Sequence, residues 1–209
     1  MLILFAYILS LPELLENLKV MQPIRKWQTL TSRMVFEHKW CRVRQDTVRL
    51  ANQQLIDDYF VVVRPDVVLV LAITPNQEVV FVQQYRHGVE EILLELPAGT
   101  FDPETESPEV AAQRELQEET GYRAEHLVKL ATLHDNPVKD TNQIHLFLAQ
   151  NAFVFAEQNL DMTEAIEVVL IPVEELSERI WNGEICVSGT IAALFLGMQF
   201  LKVSTPLVP

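Results

Sequence analysis

Residues 96–122 read LPAGTFDPETESPEVAAQRELQEETGY and crowd three carboxylates, Glu115, Glu118 and Glu119, into five positions. Like charges at such spacing weaken an isolated helix. The punctuation is nonetheless helical: Ser107 suits an N-cap, Pro108 the first helical position, and Gly121 a left-handed C-cap. Successive helical residues rotate by roughly 100°. Glu115, Glu118 and Glu119 therefore share a face, while Ala112, Leu116 and Thr120 turn toward another side and can pack on a sheet. Arg114 can pair with Glu118 at i, i+4, but one cation cannot neutralise three acids. A solvated acidic face is the ordinary outcome for an isolated E-x-x-E-E. Directly after Pro97-Ala98-Gly99, expected to be a tight turn, the cluster offers the hard oxygens that magnesium or manganese prefers. A backbone carbonyl from that turn could complete such a site.

Working outward, strand-like patterns run from Met34 to Leu50 and from Tyr59 to Arg64. DVVLVLAIT and EVVFVQQYR flank Pro75-Asn76-Gln77 and predict a hairpin. ILLEL leads into Pro97. Beyond the acidic helix, HLVKLATLH, NQIHLFLAQ and IEVVLIP read as strands, VEELSERIWNG as an amphipathic helix, and residues 191–201 as an apolar helix. Strands interleaved with helices predict an α/β fold, a mixed sheet sandwiched by helices. The expected division is an apolar extension over 1–20, an antiparallel β-rich subdomain over 21–65 and the main domain over 66–209.

Composition sets limits. At 49% hydrophobic and 22% charged, the chain of 209 residues is globular and has material for a real core. A formal charge of −13 argues against a nucleic-acid partner, which demands a basic footprint. Cys41 and Cys186 form neither a disulfide framework nor a metal cluster, which suits a reducing cytoplasm. The apolar run Leu2–Leu9 is shorter than the roughly 20 residues a bilayer span needs, so no stable membrane insertion is expected. It also lacks the features of a secretory signal. Three readings stay open, a membrane-surface or partner contact, a core-docked helix and an upstream extension; we favour the third, with Met21 as the physiological start.

The segment resembles the signature box of the Nudix hydrolases: a glycine, a glutamate, then R-E-aliphatic-x-E-E-x-G. Here Gly99 and Glu106 precede Arg114-Glu115-Leu116-Gln117-Glu118-Glu119-Thr120-Gly121. The loop between Gly99 and Glu106 is one residue longer than the family pattern, and Tyr122 stands where an aliphatic residue is commoner. The resemblance implies a Nudix-type α/β/α sandwich and Mg2+ (or Mn2+) bound by Glu115, Glu118, Glu119 and the Ala98 carbonyl. It implies that Glu106 and Arg114 brace the loop against the helix; simple structural pairing is the alternative.

Three further features resemble the ADP-ribose/ADP-sugar pyrophosphatase branch. Pro137 lies fifteen residues beyond Tyr122; Val82-Gln83-Gln84-Tyr85-Arg86 is followed by Glu95-Leu96-Pro97-Ala98-Gly99; and a β-rich segment comes first. The branch implies hydrolysis of the pyrophosphate bond of ADP-ribose or a related ADP-sugar to AMP and a sugar phosphate, and a homodimer paired through the front segment. Arg86 can present a planar fork to a diphosphate or ribose edge, or pair at the surface with Glu90 or Glu91. Pro137 would line the pocket or merely shape its loop. Trp40 could stack on adenine across a dimer interface, although interior packing is the commoner role. The stretch Pro137–Asn142 lacks the glutamate that family members often carry, so Asp140 or Asn142 would make different contacts there. For the base, the branch points to Glu164 and the helix to Glu115; a metal-bound Glu115 is less free to accept a proton, which favours Glu164. Two alternatives stay open: the same fold acting on another nucleoside diphosphate derivative, and a non-catalytic nucleotide-sugar-binding module.

Overall fold

A computed structural model describes residues 24–204; the Leu2–Leu9 run and Met21 lie outside them. Two compact units are formed, one from residues 24–33 and 45–60, the other from 34–44 and 61 onward. Strands β1 (Gln28–His38), β2 (Cys41–Arg49) and β3 (Leu55–Val62) make a three-stranded antiparallel sheet in the order β1-β2-β3. In the first unit, Ser32 Oγ donates to the buried Asp46 at 2.6 Å, Gln45 Nε2 donates to the Asp57 carbonyl at 2.8 Å, and Trp27 meets Tyr59 edge-on. The continuous run expected from Met34 to Leu50 is broken by a turn at Lys39-Trp40. Trp40 N–H donates to His38 Nδ1 there, and no glycine, proline or asparagine marks the turn.

The second unit is built on a seven-stranded mixed sheet. Its strands begin with β4 (Asp66–Ile73), β5 (Glu78–Arg86), β6 (Glu91–Glu95) and β7 (Ala98–Phe101). Helix α1 (Pro108–Thr120) and the short β8 (Tyr122–Arg123) follow, then β9 (Leu127–Leu133), β10 (Ile144–Gln150), β11 (Phe153–Val154) and β12 (Ile166–Pro172). A 3-10 turn (Val173–Glu175) leads to α2 (Leu176–Trp181) and α3 (Ser188–Ser204). The sheet order is β12-β5-β4-β10-β9, with β4 and β10 parallel, and β8 pairs with β11 apart from it.

The predicted β4–β5 hairpin holds only at its closed end, where Ile73 faces Val79. Beyond that point the strands part, and β6 pairs with β5 while β7 pairs with β4 in the gap. The Val70 amide donates to the Pro97 carbonyl at 2.9 Å, so the joint between β6 and β7 crosses β4. Ala98 and Gly99 thus lie in a strand rather than in the tight turn expected for them. This wedge sets Gly99 in the sheet beneath α1.

Strand residues alternate between two cores, as the pleat requires. Val68, Val70 and Ala72 pack with Ala111, Ala112 and Leu116 of α1; Leu69, Leu71 and Ile73 pack with Leu146, Leu148 and Leu194 on the α3 side. Burial on both faces explains why β4 reads as an apolar run from Val67 to Ile73 and β10 as one from Leu146 to Ala149. The fold is the expected α/β/α sandwich on a mixed sheet, with a separate small antiparallel sheet. Among the described residues no helix is long and apolar enough to cross a membrane.

Candidate active site

Helix α1 begins and ends where its sequence says it should. Ser107 is extended, its Oγ accepts from the Val110 amide at 3.3 Å, and Pro108 opens the first turn. Gly121 closes the helix at φ 76°, a left-handed conformation that costs glycine little. Ala112, Leu116 and Thr120 are buried against the sheet as predicted. Glu119 is buried with them, only 4% exposed, rather than standing out with the other acids.

Each carboxylate of α1 has a distinct setting. Glu119 Oε2 accepts the Ala98 amide at 2.9 Å. Burial pushes its pKa up to about 8, against the opposing pull of that amide; the charges of Glu115 and Glu164 add to the rise and Arg86 reduces it. Burial also raises Glu115, partly offset by Arg114, with Glu118 and Glu164 adding. A β-carbon built on Gly99 would lie 1.9 Å from the Glu115 carboxyl carbon. Glycine is needed in β7 for space, since any side chain would displace that acid.

Arg114 is the local counter-ion. Its Nε and Nη2 grip both oxygens of Glu106 at 3.1 and 2.8 Å, and Nη1 reaches Glu115 at 2.7 Å and Glu118 at 3.0 Å. This fork holds Glu106 below the usual carboxylate range and Arg114 above its own. One positive charge is shared among three acids, so the cluster stays strongly anionic. Glu115 and Glu118 join Gly99 and Glu164 around a polar pocket of about 250 Å³. Among the described residues no three such side chains converge as closely as metal ligands do. The donor chemistry nevertheless suits a divalent cation: hard oxygens, two of them on acids whose ionisation is suppressed chiefly by burial.

The other predicted residues fall in different places. Glu164 comes from the loop before β12, its Oε2 accepting the Asp161 amide at 2.9 Å. Arg86 ends β5 and donates through Nε to Glu95 at 2.6 Å, not to Glu90 or Glu91. Pro137 sits in an exposed turn and is not among the residues lining the acidic pocket. Asp140 pairs with Arg64 at 3.2 Å, and Asn142 is 3% exposed with no partner for its Oδ1 among the described residues. Trp40 is not packed inside: it is 70% exposed, and Lys39 lies over its ring. It lines a cleft of about 840 Å³ with Arg42, Arg64 and Thr100. Thr100 lines the acidic pocket too, so the two spaces adjoin. Thr100, Asp161 and Asn159 carry no motif signal, and only the three-dimensional arrangement brings them to the pocket. Glu95 belongs to the quoted motif, but nothing in the sequence marks it as the partner of Arg86.

Comparison with known proteins identifies the family. Residues 63–187 match the NUDIX domain model and residues 27–62 the model of the nucleoside diphosphate sugar hydrolase N-terminal domain. An ADP-ribose pyrophosphatase of Bacillus subtilis (strain 168) is 30% identical over 181 residues, covering 86% of this chain and 95% of its own. The methanol dehydrogenase activator of Bacillus methanolicus is 31% identical over 183 residues, with the same coverage of 86% and 95%. A solved structure of an ADP compounds hydrolase superposes with a TM-score of 0.77 at 24% identity, covering 87% of this chain and 97% of that one, a likeness of fold. The chain belongs to the Nudix hydrolases, with the N-terminal domain of the nucleoside diphosphate sugar hydrolases ahead of its Nudix domain.

Proposed function

We propose that the protein hydrolyses the pyrophosphate bond of ADP-ribose or a closely related ADP-sugar, with magnesium as its cation and manganese as a substitute. The observation that carries this is the meeting, at one pocket, of Glu115 and Glu118 from α1 with Glu164 from the loop before β12. Glu115, Glu118, Glu119 and the Ala98 carbonyl would hold the divalent ion that Nudix chemistry employs. Bound there, such an ion would supply Lewis-acid chemistry, withdrawing charge from the diphosphate and acidifying a water.

The protein's own groups do the rest. Glu164 accepts the proton of the attacking water. The water oxygen bonds to one phosphorus while the bridging P–O bond breaks, giving AMP and ribose 5-phosphate. Glu106 and Arg114 fix the loop against α1. Arg86, steered by Glu95, presents its fork to the diphosphate. The adjoining cleft takes the rest of the substrate: Trp40 offers a flat exposed ring for adenine, Arg42 and Arg64 supply positive charge, and Pro137 shapes the loop alongside. The relative named an ADP-ribose pyrophosphatase supports this substrate.

Incubating the purified full chain with ADP-ribose and magnesium should yield AMP and ribose 5-phosphate in equal amounts, and EDTA should stop it. Survival of ADP-ribose beside rapid cleavage of another sugar nucleotide would move the substrate. Inertness toward the whole panel would leave a binding module.

We further propose a homodimer paired through the front segment. It is supported by β1, an eleven-residue edge strand exposed throughout, with Leu30, Met34, Val35 and Phe36 uncovered. Sedimentation should give twice 24.0 kDa; a monomer at micromolar concentration rejects pairing. The free thiols of Cys41 and Cys186 suit a cytoplasmic setting.

A further inference from the structure

The chain that carries Glu164 is bound back onto α1 before it reaches that residue. The amides of Phe155 and Ala156 donate to the Gly121 carbonyl at 2.8 and 3.1 Å, and the Asn159 amide donates to the Glu118 carbonyl at 2.9 Å. The approach is close: a β-carbon on Gly121 would lie 2.3 Å from the Ala156 oxygen. The last carbonyls of a helix find no partner within it. Here the carbonyls of Glu118 and Glu119, in the last turn, are satisfied by the segment leading to Glu164.

Gln158 sits among these contacts. Its Nε2 donates to the Glu119 carbonyl at 2.6 Å and to the Ile166 carbonyl at 3.3 Å. Glu119 closes the acidic set of α1 and Ile166 opens β12, so one amide group ties together both ends of the span 159–166. Inside that span, the Glu164 amide donates to the Asp161 carbonyl at 2.9 Å, and the Asp161 amide donates to Glu164 Oε2 at 2.9 Å. The carboxylate is thus aimed by its own turn. At its leading end the turn is held to α1 by the contacts of Gln158 and Asn159.

We infer that Gln158 is a positioning residue, whose amide straps the Glu164 turn over the Glu115–Glu118 pocket. The residue itself is solvent-exposed and is not among those lining that pocket, so it acts through Glu164. Glutamine meets the chemical need. Both partners are carbonyl oxygens, the amide group has two N–H donors, and an ionised glutamate has none. The inference rests on Glu164 being the proton acceptor. A misplacement of about 1 Å can cost on the order of a hundredfold in rate.

Gln158→Ala should therefore lower kcat about tenfold to a hundredfold with KM within about twofold, and Gln158→Glu should do no better. In a Glu164→Gln background the loss from Gln158→Ala should shrink to less than about twofold, because the group being positioned is gone. Hydrogen exchange at the amides of Asn159 and Glu164 should speed up in Gln158→Ala while the amides of β4 keep their protection. Wild-type kcat in both Gln158 variants overturns the inference, as does an undiminished loss in the Glu164→Gln background. Should Glu164→Gln alone remain fully active, the base assignment fails instead. The strap then stands or falls on exchange, and unchanged rates at Asn159 and Glu164 sink it.

Discussion

Replacing Glu119 by glutamine is expected to lower kcat about a thousandfold while stabilising the cation-free protein near pH 8. The first half follows from the role proposed for this acid. A bound divalent ion stabilises developing charge by several kcal/mol, and about 1.4 kcal/mol is a factor of ten in rate. The second half follows from its surroundings. Glu119 is buried, with the Ala98 amide as its donor, and its pKa is pushed from 4.5 to about 8. Between those values the folded protein keeps a proton that the unfolded chain gives up. Stability is therefore full below pH 4.5 and declines as pH rises through about 8. Glutamine is neutral throughout and still accepts from Ala98, so the variant escapes a penalty on the order of a few kcal/mol. Thermal melts in EDTA from pH 5 to 8 should show a falling midpoint for the native protein and a flatter one for the variant. Saturating magnesium should reverse the order, since the native site gains more binding energy than the variant's. Wild-type turnover, or equal loss of stability toward pH 8, would defeat the assignment.

The same helix marks how far the sequence could be read. Its caps, its apolar face and its acids are local features, and Ser107, Pro108, Leu116 and Gly121 all behave as their types dictate. The inner strands were legible too, because burial on both faces writes itself as a continuous apolar run. What escaped is set by pairings distant in sequence. The turn at Pro75-Asn76-Gln77 marks a real reversal, but no local pattern reveals that β6 and β7 separate the two strands it joins. The burial of Glu119 depends on that wedge, since Ala98 of β7 supplies its hydrogen bond. Arg86 gives a second case. In register it faces Glu91, yet its guanidinium reaches back along β6 to Glu95, which is itself largely buried. Trp40 gives a third: a large aromatic is most often core, but here a two-residue turn leaves it at the surface.

Glu164→Gln should cost about a hundredfold to a thousandfold in kcat, within the range usual for a lost general base. KM and magnesium affinity should each stay within about twofold, because the residue is proposed to move a proton rather than to hold the ion. Glu115→Gln should behave differently. Its carboxylate lies against Gly99, already accepts from Arg114 at 2.7 Å, and is proposed to hold the ion, so it is poorly placed to take a proton from water. Neutralising it should weaken cation uptake, measured by calorimetry, as well as turnover. Glu164 lies across the pocket on a separate element, close enough for its charge to raise both Glu115 and Glu119. Removing that charge should make both acids easier to ionise, so magnesium binding to Glu164→Gln should release fewer protons than binding to the native protein. The two readouts separate the roles. A large kcat loss with intact binding identifies the proton acceptor, whereas near-native activity in Glu164→Gln passes that role to Glu115.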